Sequence, residues 1–395
     1  MAGFSTRAIK ASTRVPRVDQ VASVTPIYQA AAFSAGDAAE LGDVLTGAVP
    51  GYAYSRISNP TTDVLGEAVA ELEGAEAGLA FATGMAAIHA ALLSVVSFGE
   101  TIVATQAVYG TTRDLLVRIL GGLGIATEFV DPTDLTAVDA ALDQTGAPVL
   151  YVETVSNPTI VVSDIAALAE VAHRRGAVLL VDNTFASPYA CRPIQLGADL
   201  VMHSATKYLS GHSDVLAGIA VGSRERVDAL RPILVDAGGA LAPLAAFLVL
   251  RGLPTLAIRM ERHSATALAL ATWLWKQEGV VRVHYPGLPG DPGFAVASRQ
   301  LDVPGGMLAF ELAGGREAGR AFLDAMSLAE RTASLGSVRT IVSHPSSTTH
   351  RQLDEPALRA AGIAPGLLRC STGLEDPADL IADFEVALAA ARAAV

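Results

Sequence analysis

Cysteine is scarce in this chain of 395 residues: Cys191 and Cys370 stand alone, far apart and without the paired spacing of a zinc site or a structural disulfide. Both are therefore expected to be buried thiols. Charge is scarce too, at 17% of residues, and the 40 acidic against 28 basic side chains leave a net charge of -12. No Lys/Arg cluster offers a footprint for a phosphate backbone, which argues against nucleic acid as a partner. The first twenty residues lack the apolar run of a signal peptide, and the longer apolar stretches are broken by Gly, Pro or charge before bilayer length. A cytoplasmic protein without a membrane partner is expected. Neither the GxGxxG of dinucleotide folds nor the glycine-rich P-loop is present.

Hydrophobic residues make up 51% of the chain, enough for large cores and for buried contacts between subunits. Between residues 79 and 221 short apolar runs alternate with segments of helical period. The runs are LAFA at 79, IVAT at 102, TEFV at 127, VLYVE at 149, VLLVD at 178 and DLVMH at 199. The intervening helices are predicted over 84–96, 111–120, 135–142 and 164–175. Strands with no polar alternation are covered on both faces, so the rhythm predicts a doubly wound, mostly parallel sheet with ligands at the carboxyl ends of its strands. Residues 1–58, with Pro16, Pro26, Pro50, Tyr52 and Tyr54, read as an irregular arm reaching a neighbouring subunit. Residues 59–252 form the large domain and 253–395 a smaller C-terminal α/β domain. In the latter a long helix after Pro254 precedes strands near Val281, Met307, Thr332 and Leu368. Its last helix is predicted to start at the Asp376 cap with Pro377 in the first turn.

The richest segment is HSATKY at 203–208, directly after a predicted strand. A lysine emerging there forms a Schiff base readily once its pKa is lowered, and Ser204 and Thr206 supply hydroxyls for a cofactor phosphate. A lone lysine is usually a solvated one, so Lys207 depends on its company. Asp182 ends the run before NTF and suits a pyridinium nitrogen, although a strand-end aspartate also serves as an ordinary turn residue. In ATGMAAIHA at 82–90 the N–H groups of Gly84 and Met85 open a helix toward an anion, while most such glycines simply make a turn.

With YSRISNPT at 54–61, VDNTF at 181–185, HSATKYLSGH at 203–212 and STGLED at 371–376, the chain resembles the transsulfuration, or Cys/Met-metabolism, family from about residue 5 onward. That family comprises cystathionine γ-synthases and lyases, methionine γ-lyases and O-acylhomoserine sulfhydrylases. The resemblance implies the fold-type I architecture of pyridoxal-phosphate-dependent transferases, similar to aspartate aminotransferase. It implies pyridoxal 5'-phosphate on Lys207, which later shuttles protons, with Asp182 at the ring nitrogen and Thr184 beside it. Gly84, Met85, Ser204 and Thr206 would bind the phosphate, and Tyr54 and Arg56 that of the adjacent subunit. Tyr109 would stack on the ring and act as an acid at the departing sulfur, Asn157 would bond the ring hydroxyl, and Ser334 and Arg369 would hold the substrate carboxylate. A homotetramer, a dimer of dimers with shared sites, is the family expectation.

Within the family the motifs divide. PGGM at 304–307, YPGL at 285–288, GREAGRAF at 315–322 and Asp236 lean toward methionine γ-lyase, but Thr111 stands where those lyases carry a cysteine and Val235 where they carry a lysine. Arg339 replaces a usual glutamate, and the sequence VRT followed by HPSSTTH at 344–350 resembles O-acetylhomoserine sulfhydrylases. Thr111 and Arg339 are thus the candidate specificity residues. Elimination from methionine or homocysteine, giving 2-oxobutanoate, ammonia and a thiol, stands slightly ahead of γ-replacement on an O-acylhomoserine. A non-catalytic pyridoxal-phosphate-binding protein is the remote alternative. No metal site is expected, since His203, His212, His344 and His350 lack a completing ligand set.

Overall fold

The computed structural model describes residues 21–348 and 362–395, together with Ser5 and Leu358. Pro16 and His350 lie outside the described residues.

Seven strands form the large sheet: β1 (Ala77–Phe81), β2 (Thr101–Thr105), β3 (Ala126–Val130), β4 (Val149–Glu153), β5 (Val178–Asp182), β6 (Leu200–Ser204) and β7 (Gly218–Gly222). They lie in the order β1-β7-β6-β5-β4-β2-β3, with β6, β5, β4, β2 and β3 parallel. The alternate side chains of β4 show why these strands read as unbroken apolar runs. Leu150 and Val152 enter the core on one face, Val149 and Tyr151 the core on the other. The seventh strand, β7, was not among the runs picked out in the sequence; it inserts antiparallel to both β1 and β6. Its GIAVG is short and glycine-rich, and Gly218 is required there because a Cβ would lie 2.1 Å from the Thr83 carbonyl oxygen.

Local chemistry sets the helix starts. Asp134 and Asp164 cap the helices Leu135–Thr145 and Ile165–Arg174 by accepting from backbone N–H groups. Asn59 caps Pro60–Glu73, where proline occupies the first turn. The arm is less irregular than its prolines suggest, since Ala38–Thr46 is helical under an Asp37 cap.

The smaller sheet comprises β8 (Val280–His284), β9 (Met307–Leu312), β10 (Glu330–Arg331), β11 (Ile341–Ser343) and β12 (Leu367–Ser371), in the order β10-β11-β12-β9-β8. It is antiparallel except between β10 and β11. Thr332 falls just past β10, and the three-residue β11 is too short to stand out in the sequence. Phe310, Phe322 and Phe384 form the aromatic centre of its core, with centroid separations of 5.2 to 6.1 Å. Asp376 occupies the cap position of Pro377–Ala393 but makes no side-chain cap bond; its carboxylate instead accepts from Arg262 at 2.8 Å. A free cation within reach is the stronger partner for an exposed carboxylate than a backbone amide.

The helical run Pro243–Leu274 is long and apolar enough to cross a membrane by length and composition. Here Val249 and Met260 pack in the core of the large sheet and Leu270 and Leu274 in that of the smaller one, while the buried Arg259 guanidinium donates to the carbonyls of Tyr208 and Gly252, at 2.6 and 2.9 Å.

Candidate active site

Because β4, β5 and β6 run parallel, Glu153, Asp182 and Ser204 emerge at the same edge of the sheet. There they wall a cavity of about 190 Å³. Gly84, Met85, Tyr109, Asn157, Asp182, Thr184, Ser204, Thr206, Lys207 and Arg369 all line it.

Lys207 follows β6 in a tight turn, its N–H bonded to the Ser204 carbonyl at 3.0 Å. The ammonium donates to Ser334 Oγ at 2.9 Å. Burial, aided by the Arg369 cation, lowers its pKa from 10.5 to about 8. Ser334 is held there by its own loop. The Val338 N–H bonds the Gly211 carbonyl, and the Gly336 N–H bonds Ser371 Oγ. Gly336 is in the left-handed region, and a Cβ on it would lie 2.7 Å from the Tyr208 nitrogen.

Asp182 accepts from the Thr184 N–H at 2.9 Å, and Thr184 Oγ1 accepts in turn from the Ser204 N–H at 2.8 Å. Burial raises the Asp182 carboxyl above its ordinary range, against the opposing bonds from Thr184. In register beside the half-buried Asp182, on β4, lies the buried Glu153, whose two oxygens accept from the N–H groups of Tyr109 and Asn157. Burial first, and the Asp182 charge second, push Glu153 well above the carboxylate range. Among the described residues no Lys or Arg side chain forms an ion pair with either carboxyl.

Opposite the sheet edge, β12 presents Arg369. Its guanidinium donates to Asn157 Oδ1 at 3.0 Å and to the Ser334 carbonyl at 2.9 Å, while its buried Nε has no partner. Burial lowers its pKa. At the far side of the cavity the helix Gly84–Leu93 begins. Thr83 accepts from the Ala86 N–H, leaving the N–H groups of Gly84 and Met85 without intrahelical partners. A Cβ on Gly84 would sit 2.8 Å from Ser204 Cβ, so only glycine lets the helix start come this close to β6.

The remaining sequence candidates sit elsewhere. Ser334 lies between two cavity-lining residues, Ala333 and Leu335. Thr111 is exposed and outside the cavity wall, and Arg339 is exposed and paired with Glu330. Tyr54 and Arg56 belong to the arm: the Arg56 guanidinium stacks 5.4 Å from the Tyr54 ring centroid and donates to the Val235 carbonyl at 2.8 Å. His203 pairs with the buried Glu73 at 2.7 Å, His212 bonds the Ser210 carbonyl, and His344 is enclosed by Ser346, Ser347 and Pro365. No cluster of metal-ligating side chains occurs among the described residues. Cys191 and Cys370 are buried and free. The sequence reading missed Glu153, although it ends its apolar run just as Asp182 ends the next one.

This donor set fits pyridoxal phosphate. A half-buried amine of depressed pKa shares the cavity with the half-buried Asp182 and the buried Glu153, neither paired with a Lys or Arg, and Asp182 suits a protonated ring nitrogen, while a helix N-terminus with adjacent hydroxyls suits the phosphate. The orphaned Arg369 Nε–H suits a substrate carboxylate.

Known proteins agree with that fit. The chain is 44% identical over 390 residues to an L-methionine gamma-lyase of Pseudomonas putida, covering 98% of each. To an O-succinylhomoserine sulfhydrylase of Pseudomonas aeruginosa it is 40% identical over 389 residues, covering 98% of this chain and 96% of the relative. The crystal structure of a cystathionine gamma synthase from Xanthomonas oryzae pv. oryzae in complex with cystathionine superposes with a TM-score of 0.89 at 39% identity, covering 95% of both chains. Residues 5–389 match the profile of the Cys/Met metabolism PLP-dependent enzymes, and the chain therefore belongs to this transsulfuration family, as a pyridoxal-phosphate-dependent enzyme acting at a C–S bond of sulfur amino acids.

Proposed function

We propose that this enzyme catalyses γ-replacement on an O-acylhomoserine, exchanging the acyloxy group at Cγ for the sulfur of sulfide or a small thiol. The observation that carries the reading is Arg339. Where methionine- and cystathionine-processing members usually carry a glutamate, the loop behind Ser334 carries a guanidinium held by Glu330. That loop has no free carboxylate at this position for the distal ammonium of cystathionine, so it suits a substrate that lacks one, such as an acyl ester of homoserine. Thr111 and Val235, which depart from the lyase pattern, point the same way.

The residues divide the work. Arg369, with Ser334, binds the α-carboxylate and so orients the Cα–H bond toward Lys207 Nζ, which takes and returns protons. Asp182, buttressed by Thr184, would keep the ring nitrogen protonated, Gly84, Met85, Ser204 and Thr206 would hold the phosphate, and Asn157 would bond the ring hydroxyl. Tyr109 lines the same cavity, where its hydroxyl would move a proton at the γ-substituent. When bound, pyridoxal phosphate supplies the electron sink for the charge released at the substrate carbons. The Cγ–O bond breaks with the acyl group leaving as a carboxylate; the Cγ–S bond forms as the thiol gives up its proton. The active form in this reading is a cytoplasmic homotetramer, a dimer of dimers in which Tyr54 and Arg56 serve the adjacent subunit's phosphate.

A second reading, α,γ-elimination from methionine, is favoured by the 44% identity to the L-methionine gamma-lyase. Both are tested by incubating enzyme with methionine, homocysteine, cystathionine and O-acetyl- and O-succinylhomoserine, with and without sulfide, while 2-oxobutanoate and new thiol or thioether are assayed. Product from an ester plus sulfide is the expected outcome. Oxo acid released from methionine without added thiol, at a rate above the ester reaction, supports elimination instead.

A further inference from the structure

Glu153 is a carboxylate with an unusual position. It ends β4, is 4% exposed, and lies in register with Asp182 on the adjacent strand. Burying a carboxyl without a cation is unfavourable, more so beside a second one, and a neutral side chain of similar shape would avoid that cost. Its retention needs a task that only two oxygens on one group can perform.

The hydrogen bonds identify the task. Oε1 accepts from the Tyr109 N–H at 2.7 Å, across 44 residues of sequence, and Oε2 from the Asn157 N–H at 3.0 Å. Tyr109 precedes the short helix Gly110–Asp114, has no side-chain cap bond and is 43% exposed, so Glu153 is its main tether to the sheet. Asn157 in turn accepts from Arg369. We propose that Glu153 is a positioning residue, whose two oxygens lock the Tyr109 and Asn157 segments at one separation on either side of the cofactor slot. The tie fixes where Tyr109 meets the cavity and aligns Asn157 with Arg369. Burial and the neighbouring Asp182 raise the Glu153 carboxyl, and the N–H bonds from Tyr109 and Asn157 oppose that rise by favouring the form in which both oxygens accept. A glutamine would satisfy one amide with its single oxygen and turn its own N–H groups on the other. This proposal rests on the roles given above to Tyr109 and Asn157.

The test compares holoenzymes of the wild type, E153Q, Y109F and the double variant. A displacement of about 1 Å at a reacting group lowers turnover by about 100-fold, so E153Q is expected to lose that much in kcat while KM moves less. The visible circular dichroism of the bound cofactor should weaken, because its ring is no longer held in one asymmetric setting. In the Y109F background E153Q should add little further loss, since two residues acting as a unit are not additive. Equal losses in both backgrounds, or an unchanged dichroism band and kcat in E153Q, overturn the proposal. Should E153Q fail to fold, hydrogen exchange on the wild type decides. The amides of Tyr109 and Asn157 should be protected and exchange at one shared rate; unprotected amides or unrelated rates overturn it. A Y109F enzyme with full activity would instead remove the role given to Tyr109, leaving dichroism and exchange to judge Glu153.

Discussion

At the scale of single residues, Lys207 is the centre of the electrostatics. It is one of three lysines in the chain, with Lys10 and Lys276. In the folded state its pKa lies near 8 instead of 10.5, so folding expels a proton between those values and the unfolded chain binds more. The charged amine therefore destabilises the apoenzyme fully below pH 8, and that penalty fades as pH rises through the window toward 10.5. Apo K207M should melt above the wild-type apoenzyme at neutral pH, with the gap closing in alkaline buffer; a gap independent of pH would contradict the depressed value. Arg369 offers a second test. R369K keeps the charge but loses the planar fork, and losing a charged hydrogen bond of about 1.5–3 kcal/mol should raise KM by about 10- to 100-fold with a smaller change in kcat. For the cysteines, burial pushes Cys191 up to about 12 and Cys370 higher still. A thiol reagent should find neither in the native protein and both after denaturation.

At the scale of elements, two helix starts that look alike in sequence behave differently. Asn59 is fully buried, caps Pro60–Glu73, and its amide donates to the Tyr28 carbonyl and Ser55 Oγ. Asp376 makes only an exposed pair with Arg262. N59A should therefore cost about 2 kcal/mol, the upper end for a cap, and D376A less than about 1 kcal/mol, as for a surface pair, both measured by denaturant unfolding. The contact between the helix Pro60–Glu73 and β1 is closer than any Cβ allows. One on Gly66 would meet the Gly78 carbonyl oxygen at 2.5 Å, and one on Gly78 would meet that of Gly66 at 2.2 Å. Backbone cannot yield as a side-chain tip does, so G66A should destabilise by about 1–3 kcal/mol.

At the scale of the whole molecule, the arm carries apolar side chains that one chain leaves bare: Val21 is 97% exposed, Val24 64% and Leu45 50%. Patches of this kind mark contact surfaces, and Tyr54 and Arg56 lie on the same arm, away from the cavity of their own chain. If sites are shared between subunits, K207A and R56A enzymes, each inactive alone, should regain activity when mixed and allowed to exchange subunits. Mixed enzymes that stay inactive, with exchange verified, would exclude a shared site.

The sequence by itself determined what is local. The strands of the large sheet are apolar on both faces and end in polar residues, and Lys207, Asp182, Gly84 and Ser204 sit at those ends, so chain direction alone gathers them at one edge. Only the tertiary structure decided the pairings that join distant segments. Lys207 meets Ser334 across 127 positions, and Arg369 meets Asn157 across 212. Arg339 turns to Glu330, Asp376 turns to Arg262, and β7 inserts antiparallel between β1 and β6. Periodicity and capping act over a few residues and leave their mark in sequence. A hydrogen bond such as that from Tyr109 to Glu153, made only after two strands and their connections have packed, leaves none.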